Sequence, residues 1–300
     1  MFNALNGMGA GGQEDPRVAN NSLTALYAFF ALFGVVGGGL YNVSGPRLTL
    51  FAGCLPYVLY VASYLYYNVR PDKTTGSSFF VVMAGAILGI GAGLLWAAQG
   101  AIITSYPNPS QKGLFISLFW TIFNLGAVLG AFIPLALNFH SESSGRVSDA
   151  TYIAFMCVMS LGTLLTLLLS NPDSVVRDDG TPVRTRAGPQ PLPSTSKPSL
   201  SSALSREFIQ VSKLFVDWRM LLLAPSCFAS NFFYTYQFNN VNAALFDVRT
   251  RAFNNVFYWG AQMGGSIMMG CVLDKSHKRR RIRGLIGCGI LATVGMAIWG

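Results

Sequence analysis

The sequence predicts an all-α protein, a polytopic bundle of transmembrane helices. Of its 300 residues, 52% are hydrophobic and only 11% are charged, whereas soluble domains carry about 25% charged residues. The mean hydropathy of +0.44 agrees with this composition. The apolar residues form unbroken runs of roughly 20, the length that an α-helix needs to cross a bilayer core. A transmembrane β-barrel would instead show alternating segments of roughly ten residues.

Eight such runs follow one another along the chain. None of them has Asp, Glu, Lys or Arg in its interior, as expected of helices that pass through hydrocarbon. We therefore predict eight complete or near-complete spans, at Ser22–Val43, Leu48–Tyr67, Phe79–Thr104, Leu114–Leu137, Ala150–Ser170, Arg219–Asn239, Ala252–Leu273 and Gly284–Gly300.

The basic residues between the runs predict which loops face the cytoplasm. With eight spans, 14 of the 21 Lys and Arg residues fall on one side, which includes the connector 171–218 and the loop 274–283. The positive-inside rule assigns this side to the cytoplasm. The basic run Lys275–Arg283 lies between two spans, so we interpret it as an anchor near anionic lipid and not as a nucleic-acid site.

The connector has two parts of different composition. Residues 171–202 are rich in Pro, Ser and Arg, which predicts a flexible segment. Over Ala203–Asp217, apolar side chains share one helical face, which predicts a short helix on the cytoplasmic membrane surface. A solvated loop helix is the alternative. The side chains of this face are Leu204, Phe208, Val211 and Phe215.

A repeat in the same orientation divides the chain into two halves. Repeats of this kind relate membrane halves by an axis along the bilayer normal. We therefore expect an amino-terminal membrane half over 1–170, a cytoplasmic linker over 171–218 and the start of a second half over 219–300. The matching pairs are Phe2-Asn3 with Phe238-Asn239, Asn20-Asn21 with Asn254-Asn255, and Gly38–Asn42 with Gly270–Asp274.

The same repeat predicts that the chain is truncated at both ends. Because Phe238-Asn239 closes a span, Met1–Gly12 is the expected tail of another span. The last apolar run is likewise expected to continue beyond Gly300. A complete protein of this plan has twelve spans.

The repeated glycine motif resembles a motif of the major facilitator superfamily of transporters. The run GGLYNVSGPR at 38–47 is similar to the family's loop motif G-x-L-a-D-R-x-G-R-R, with Asn42 in place of the acid. A second copy of the motif, over Gly270–Lys275, has Asp274 at the acidic position. In the family, these residues belong to a clamp that controls opening. The resemblance therefore implies a cytoplasmic gating role for Asn42, Arg47, Asp274 and Lys275.

Longer stretches resemble the uncoordinated-93-like branch of that superfamily, particularly its fungal members. The resemblance covers nearly the whole chain and implies a fold of about twelve spans. It rests on MFNALNGMGAGG at 1–12, GLLWAAQG at 93–100, FWTIFNLGA at 119–127, NFFYTYQFN at 231–239 and DVRTRA at 247–252.

Uncharged polar residues within or near the spans are the candidates for a substrate path. Polar groups in hydrocarbon face a partner helix or a wet cavity. We therefore expect either a central path or interhelical hydrogen bonds at these positions. Asn231, Tyr234 and Gln237 are spaced three apart and would share one helix face. The full set of candidates is Asn3, Trp96, Gln99, Asn124, Asn231, Tyr234, Gln237 and Asn239.

The sequence offers no motif of an enzyme, a cofactor site or a metal site. His140 and His277 fall in predicted loops without a neighbouring ligand at metal spacing, and no C-x-x-C pair occurs. Its glycine clusters lack the Lys-Ser/Thr ending of a phosphate loop. Many are instead four apart, which predicts close helix packing, as at Gly34/Gly38, Gly85/Gly89/Gly93, Gly126/Gly130 and Gly260/Gly264. Asn20-Asn21-Ser22 is a sequon on the predicted outer side and predicts glycosylation at Asn20.

These observations favour a carrier that moves a small solute across a membrane by alternating access, with the substrate unknown. Export of a metabolite is an analogy from fungal relatives. Animal relatives act as accessory or trafficking partners, so a regulatory protein that binds another membrane protein is the alternative, together with a nonfunctional remnant. The expected partners are the bilayer and a small solute, without nucleic acid. The plasma membrane and an endomembrane both remain open as locations.

Overall fold

A computed structural model describes residues 1–13, 15–70, 75–108, 111–139, 146–170, 174–177, 180, 183, 200–231, 233–274 and 279–299. Every regular element among these residues is helical. The α-helices are α1 (Phe2–Gly7), α2 (Pro16–Val69), α3 (Thr75–Ser105), α4 (Lys112–Leu137), α5 (Asp149–Leu165), α6 (Leu200–Leu214), α7 (Trp218–Ala229), α8 (Phe233–Thr235), α9 (Ala243–Leu245), α10 (Val248–Asp274) and α11 (Arg280–Trp299). Two 3₁₀ turns (Ala10–Gly12 and Thr166–Leu168) and a π-helix (Tyr236–Asn242) complete the set.

Helix α2 covers the first two predicted spans as two arms. The break lies at Gly45, whose φ of 77° is a conformation that glycine adopts easily. Pro46 then begins the second arm, at the position where proline suits a helix start. At the other end, the Asp15 carboxylate accepts a hydrogen bond from the Arg17 backbone N–H at 2.9 Å and caps the first arm.

Glycines allow α3 to pack closely against α2. A Cβ at Gly89 would overlap the Leu26 carbonyl oxygen, and one at Gly93 would lie 2.7 Å from the Phe33 carbonyl carbon. A Cβ at Gly85 would likewise overlap the Ser22 carbonyl oxygen. The packing prediction is therefore confirmed for this row. It also holds at Gly130, where such a Cβ would lie 2.8 Å from the Ala4 Cβ. At four other positions, no atom of the described residues lies within 4 Å of such a Cβ, namely at Gly34, Gly126, Gly260 and Gly264.

Within the described part of the chain, four helices are long and apolar enough to cross a membrane, namely Pro16–Val69, Thr75–Ser105, Lys112–Leu137 and Asp149–Leu168. The first of these carries two predicted spans, so together they cover the five predicted for the first half. In the second half, α10 and α11 have nearly the bounds of the predicted spans Ala252–Leu273 and Gly284–Gly300. Neither α10 nor α11 is among the four helices that are long and apolar enough to cross a membrane.

The span predicted over Arg219–Asn239 is wrong as a single helix. Helix α7 ends at Ala229, and the chain then winds through α8 and the π-helix. A π-helix closes each turn over one residue more than an α-helix, so the period of the apolar pattern changes there. The wide turns bring Asn239 and Asn242 to the amino-terminal residues, as described below.

Helix α6 corresponds to the amphipathic helix predicted in the connector. Two members of its predicted apolar stripe, Phe208 and Phe215, are 55% and 67% exposed. A membrane-surface position for this helix remains a prediction. Most of the segment predicted to be flexible, 171–202, lies outside the described residues.

Candidate functional site

A cavity of about 480 Å³ lies between the two halves of the bundle. Helices α1 to α4 form its wall on the side of the first half, and α8, the π-helix and α10 form it on the other. None of the described residues that line it is Asp, Glu, Lys, Arg or His. A second cavity of about 440 Å³ shares part of this wall, at Phe2, Asn3, Tyr57, Trp96 and Phe123.

Aromatic rings from both halves line the central cavity. The first aromatic wall consists of Trp96 from α3 and Trp120 and Phe123 from α4. The two indoles have centroids 6.0 Å apart and are inclined by 32°, and Phe123 meets each of them edge-on.

The second aromatic wall consists of Tyr234, Phe238 and Trp259. Tyr234 and Trp259 are nearly parallel, with an interplanar angle of 20° and centroids 6.2 Å apart. Phe238 and Trp259 have centroids 5.9 Å apart. Edge-on and offset arrangements of this kind are favourable for aromatic pairs.

Five amide side chains are among the polar groups that line the cavity. The Gln262 amide donates to the Tyr234 hydroxyl at 3.3 Å, and Asn231 donates to the Ser230 hydroxyl at 2.8 Å. The side chains of Asn3 and Asn6 line the cavity. Amides can both donate and accept hydrogen bonds, so the wall can bind neutral polar groups of either kind.

One donor in the wall has no protein partner. The indole of Trp259 is 4% exposed, and its Nε1–H makes no hydrogen bond within the described part of the chain. Buried donors of this kind are rare, because water or a protein acceptor normally satisfies them. The Nε1–H is therefore an unsatisfied donor that the surrounding wall encloses.

Residues 1–13, which we call the amino-terminal segment, cover one end of the cavity. Phe2, Asn3 and Asn6 line the cavity itself, and the segment then turns sharply. The turn has positive φ at Gly9, Ala10, Gly11 and Gly12, a conformation in which glycine is favoured. Its many unpaired backbone groups need partners from the surrounding helices.

Arg251 at the start of α10 binds this turn from the second half. Its side chain is 1% exposed. Nε donates to the Met8 carbonyl oxygen and Nη2 to the Gly9 carbonyl oxygen, both at 2.6 Å. The planar guanidinium can reach both carbonyls at once, which a lysine could not.

The first half binds the same turn from the opposite side. The Tyr152 hydroxyl donates to the Gly11 carbonyl oxygen at 2.8 Å. The Gln13 amide donates to Tyr152 and to Asn68, at 2.8 and 2.9 Å. The amino-terminal segment therefore connects the two halves at this end of the bundle.

Asparagines add a second set of contacts between the halves. Asn242 donates to the Gly7 carbonyl oxygen at 2.8 Å, over a separation of 235 residues. Asn255 donates to the Ala4 carbonyl oxygen at 2.7 Å, and Asn239 donates to the Asn20 side chain.

Five of the eight predicted path residues line the cavity and three do not. Gln99 is half-buried elsewhere on α3, Asn124 is buried within α4, and Gln237 is exposed and accepts a hydrogen bond from Tyr258 at 3.1 Å. The shared face predicted for Asn231, Tyr234 and Gln237 is wrong because Asn231 lies in the turn after α7 and Gln237 lies within the π-helix. The five that line the cavity are Asn3, Trp96, Asn231, Tyr234 and Asn239.

The predicted gating residues do not form one cluster in the described structure. The Arg47 guanidinium donates to the Leu169 carbonyl oxygen at 2.7 and 3.0 Å, a contact within the first half. Asn42 is exposed near the end of the first arm of α2. Asp274 ends α10, while its side chain and all of Lys275 lie outside the described residues. Their gating role stays a prediction.

The sequon asparagine lies in helix α2 and not in a surface loop. Asn20 accepts the hydrogen bond from Asn239, and the Ser22 hydroxyl is buried and donates to the Val81 carbonyl oxygen at 2.9 Å. Acceptor sequons belong to accessible surface loops. Glycosylation at Asn20 stays a prediction, and this placement argues against it.

Arg251, Asn242 and Asn255 bind the amino-terminal segment and were not predicted as site residues. Arg251 lies just before an apolar run, so from the sequence it was counted among the loop charges. A signal was present, since arginine followed by Asn254-Asn255 places unusual polarity at the start of a span. No group of three or more His, Cys, Asp or Glu residues comes together within the described ranges.

The comparisons with known proteins agree on one family. A family model of the Major Facilitator Superfamily matches residues 13–300. UNC93-like protein 1 of Arabidopsis thaliana is 54% identical over 299 residues, which cover 100% of this chain and 61% of the relative. An UNC93-like protein of Schizosaccharomyces pombe is 41% identical over 301 residues, covering 100% of this chain and 56% of the relative.

A more distant relative carries a more specific name. Notoamide biosynthesis cluster protein O' of Aspergillus versicolor is 27% identical over 274 residues, covering 91% of this chain and 55% of the relative. The chain thus spans less than two thirds of the length of these relatives. No solved structure matches the chain.

Proposed function

The chain belongs to the major facilitator superfamily, in its UNC93-like branch, and from this premise we propose that it carries a small solute through the central cavity by alternating access. It is an integral membrane protein. The observation that supports the proposal most directly is a cavity between two membrane halves that is covered at one end by a hydrogen-bonded segment.

Closure at that end depends on discrete contacts from both halves. Arg251 binds the turn of the amino-terminal segment from the second half, and Tyr152 binds it from the first. Hydrogen bonds are directional, so a rocking motion of the halves breaks this set together. The described conformation is thus the one in which the cavity is closed towards the amino-terminal segment.

Helices α4 and α10 provide the contact about which the halves would rock. The Ser117 hydroxyl donates to the Ser266 carbonyl oxygen at 2.9 Å, and the Ser266 hydroxyl donates back to Ser117 at 3.1 Å. Gly270 has no side chain at the point where Ser117 approaches. Small residues let helix backbones approach and shift against each other.

The relative from the notoamide cluster suggests what kind of solute is moved. Its name places it in a biosynthesis cluster. By analogy, the solute of this chain is a small organic metabolite and the transport is export. The described residues of the cavity wall carry no charge, which agrees with an organic solute.

Transport can be tested without knowledge of the substrate. The full-length protein is reconstituted into liposomes, incubated with a metabolite extract, and the vesicle contents are identified by mass spectrometry. We expect at least one small organic compound to accumulate above protein-free vesicles, and Asn231→Ala to reduce that accumulation. If no compound accumulates with folded protein, the carrier proposal is wrong and an accessory role for the protein is favoured.

A further inference from the structure

We propose that Asn124 of α4 and Trp259 of α10 form a hydrogen bond between the two halves when the cavity opens towards the amino-terminal segment. In this bond, the side-chain oxygen of Asn124 accepts the Trp259 Nε1–H. The bond stabilises the open conformation relative to the closed one. Because it requires the halves to move, the proposed bond rests on the carrier proposal.

Both side chains are buried and carry an unsatisfied polar atom. Asn124 is 2% exposed and Trp259 is 4% exposed. Neither the Asn124 Oδ1 atom nor the Trp259 Nε1–H has a hydrogen-bond partner within the described part of the chain. Buried polar groups normally have partners, because burial without one is unfavourable. One of these atoms is an acceptor and the other is a donor, so each can satisfy the other.

The register of α4 and α10 places these two residues opposite each other. The helices are antiparallel, since Ser117 near the start of α4 bonds to Ser266 near the end of α10, while Ala127, further along α4, packs with Trp259. Asn124 follows Ser117 by seven residues, and Trp259 precedes Ser266 by seven. Seven residues make two helical turns, about 10.5 Å, and return to nearly the same face. Asn124 and Trp259 therefore lie at the same level of the contact between the halves.

The indole is held by its own half, whereas the acceptor belongs to the other. Tyr234, Phe238 and Tyr258 surround Trp259 with centroids 6.2, 5.9 and 5.2 Å away. These rings all belong to the second half. A shift of α10 against α4 therefore changes the distance from the Trp259 N–H to the Asn124 oxygen and preserves the packing of the indole. The small residues along the α4–α10 contact permit such a shift.

The proposed bond offsets part of the cost of opening. Opening breaks the hydrogen bonds that Arg251 and Tyr152 make to the turn of the amino-terminal segment. A carrier visits both conformations in every cycle, so their free energies must be similar. A donor and an acceptor that are unsatisfied in the closed conformation and paired in the open one bring the two free energies closer together.

The bond is tested by measuring the open and closed populations of the full-length protein in nanodiscs. Spin labels are attached at Ala150→Cys and Leu245→Cys in a variant without the native cysteines. Both positions are exposed, one in each half, near the residues that bind the amino-terminal segment. Pulsed electron–electron double resonance gives the distance distribution between the labels. Arg251→Ala is the background, because loss of its hydrogen bonds should raise the open population.

We expect Asn124→Leu and Trp259→Phe each to lower the ratio of open to closed protein about three- to tenfold, the effect of one neutral hydrogen bond. The double variant should show the same reduction as either single variant, because the bond is lost only once. Thr163→Val is the matched control and should leave the ratio unchanged. Thr163 is equally buried, lies in α5, and donates to the Met159 carbonyl oxygen of its own helix at 2.9 Å.

An unchanged ratio in both single variants would overturn the inference, and so would reductions that multiply in the double variant, since these indicate independent effects on packing. If Trp259→Phe does not fold, benzothienylalanine at this position keeps the shape of the indole and replaces the N–H by sulfur. A ratio that responds to Arg251→Ala but not to Asn124→Leu leaves the carrier proposal in place without the bond. A single distance in every variant, Arg251→Ala included, contradicts the rocking motion and therefore both proposals.

Discussion

Arg251 carries a positive charge into a buried position and binds only backbone carbonyls among its described hydrogen bonds. Asp247 directly precedes α10 and supports Arg251 by capping this helix, and its carboxylate accepts a hydrogen bond from the Thr250 N–H at 3.0 Å. The hydrogen bonds from Thr250 lower the pKa of Asp247. The cap and the arginine together fix the start of α10 against the amino-terminal segment.

Replacement of Arg251 tests this contact. Arg251→Ala removes two charge-assisted hydrogen bonds and leaves buried carbonyls unpaired, so it should cost roughly 3 kcal/mol of stability and lower the melting temperature in detergent. Arg251→Lys should show a smaller loss, because an ammonium keeps the charge but not the fork. Arg249→Ala is the control, since Arg249 is exposed. An equal effect of Arg249→Ala and Arg251→Ala would contradict the assignment.

The cavity wall separates two residues that the sequence places in one group. Asn231 lines the cavity and Gln237 does not. Asn231→Ala should therefore reduce transport or ligand binding about tenfold, as expected for loss of one hydrogen bond to the bound molecule. Gln237→Ala should retain both. The measurement is uptake into proteoliposomes at matched protein density, and equal losses in the two variants would count against the described wall.

At the scale of single residues, the sequence predicted polar wall positions from composition and could not predict their partners. Asn3, Asn231 and Asn239 stood out because amides are rare in hydrocarbon. Arg251 did not stand out in the sequence, because its hydrogen-bond partners are carbonyl oxygens more than 200 positions earlier in the chain. A backbone carbonyl leaves no signature in the amino-acid sequence.

At the scale of helices, the pairing of α2 with α3 depends on glycine. Gly89→Ala should destabilise the protein by about 1–3 kcal/mol, because the new methyl group overlaps the Leu26 carbonyl oxygen and the helices must move apart. Gly34→Ala is the matched control, with open space around it. Thermal melting in detergent checks both variants. A loss for Gly34→Ala as large as for Gly89→Ala would refute this packing.

Helix bounds were predictable wherever the apolar run was regular. The predicted spans in α2, α3, α4 and α5 agree with the structure to within a few residues. The run after Arg219 was not predictable, because nothing in its composition marks the change from α-turns to π-turns. That change accompanies long-range contacts of Asn239 and Asn242 with the amino-terminal segment, and such contacts override local periodicity.

At the scale of the whole molecule, the predicted fold class and family are confirmed. The described chain is an all-α bundle, and its match to the Major Facilitator Superfamily covers nearly all of it. The resemblance favoured fungal members, whereas the plant relative is more similar than the fission-yeast one, at 54% against 41% identity. Family and fold were predictable because motifs and hydrophobic runs are local; the closed conformation was not, because it depends on contacts between the halves.

Access to the cavity from each face of the membrane tests the central claim most directly. A single cysteine is placed at Gln262, which lines the cavity, in a variant without the five native cysteines. A membrane-impermeant methanethiosulfonate is then applied to either face of sealed vesicles. With Arg251 intact, we expect labelling from the face opposite the amino-terminal segment, and Arg251→Ala should add labelling from the segment's own face. Equal labelling from both faces with Arg251 intact, or no change with Arg251→Ala, would contradict a carrier closed by this segment.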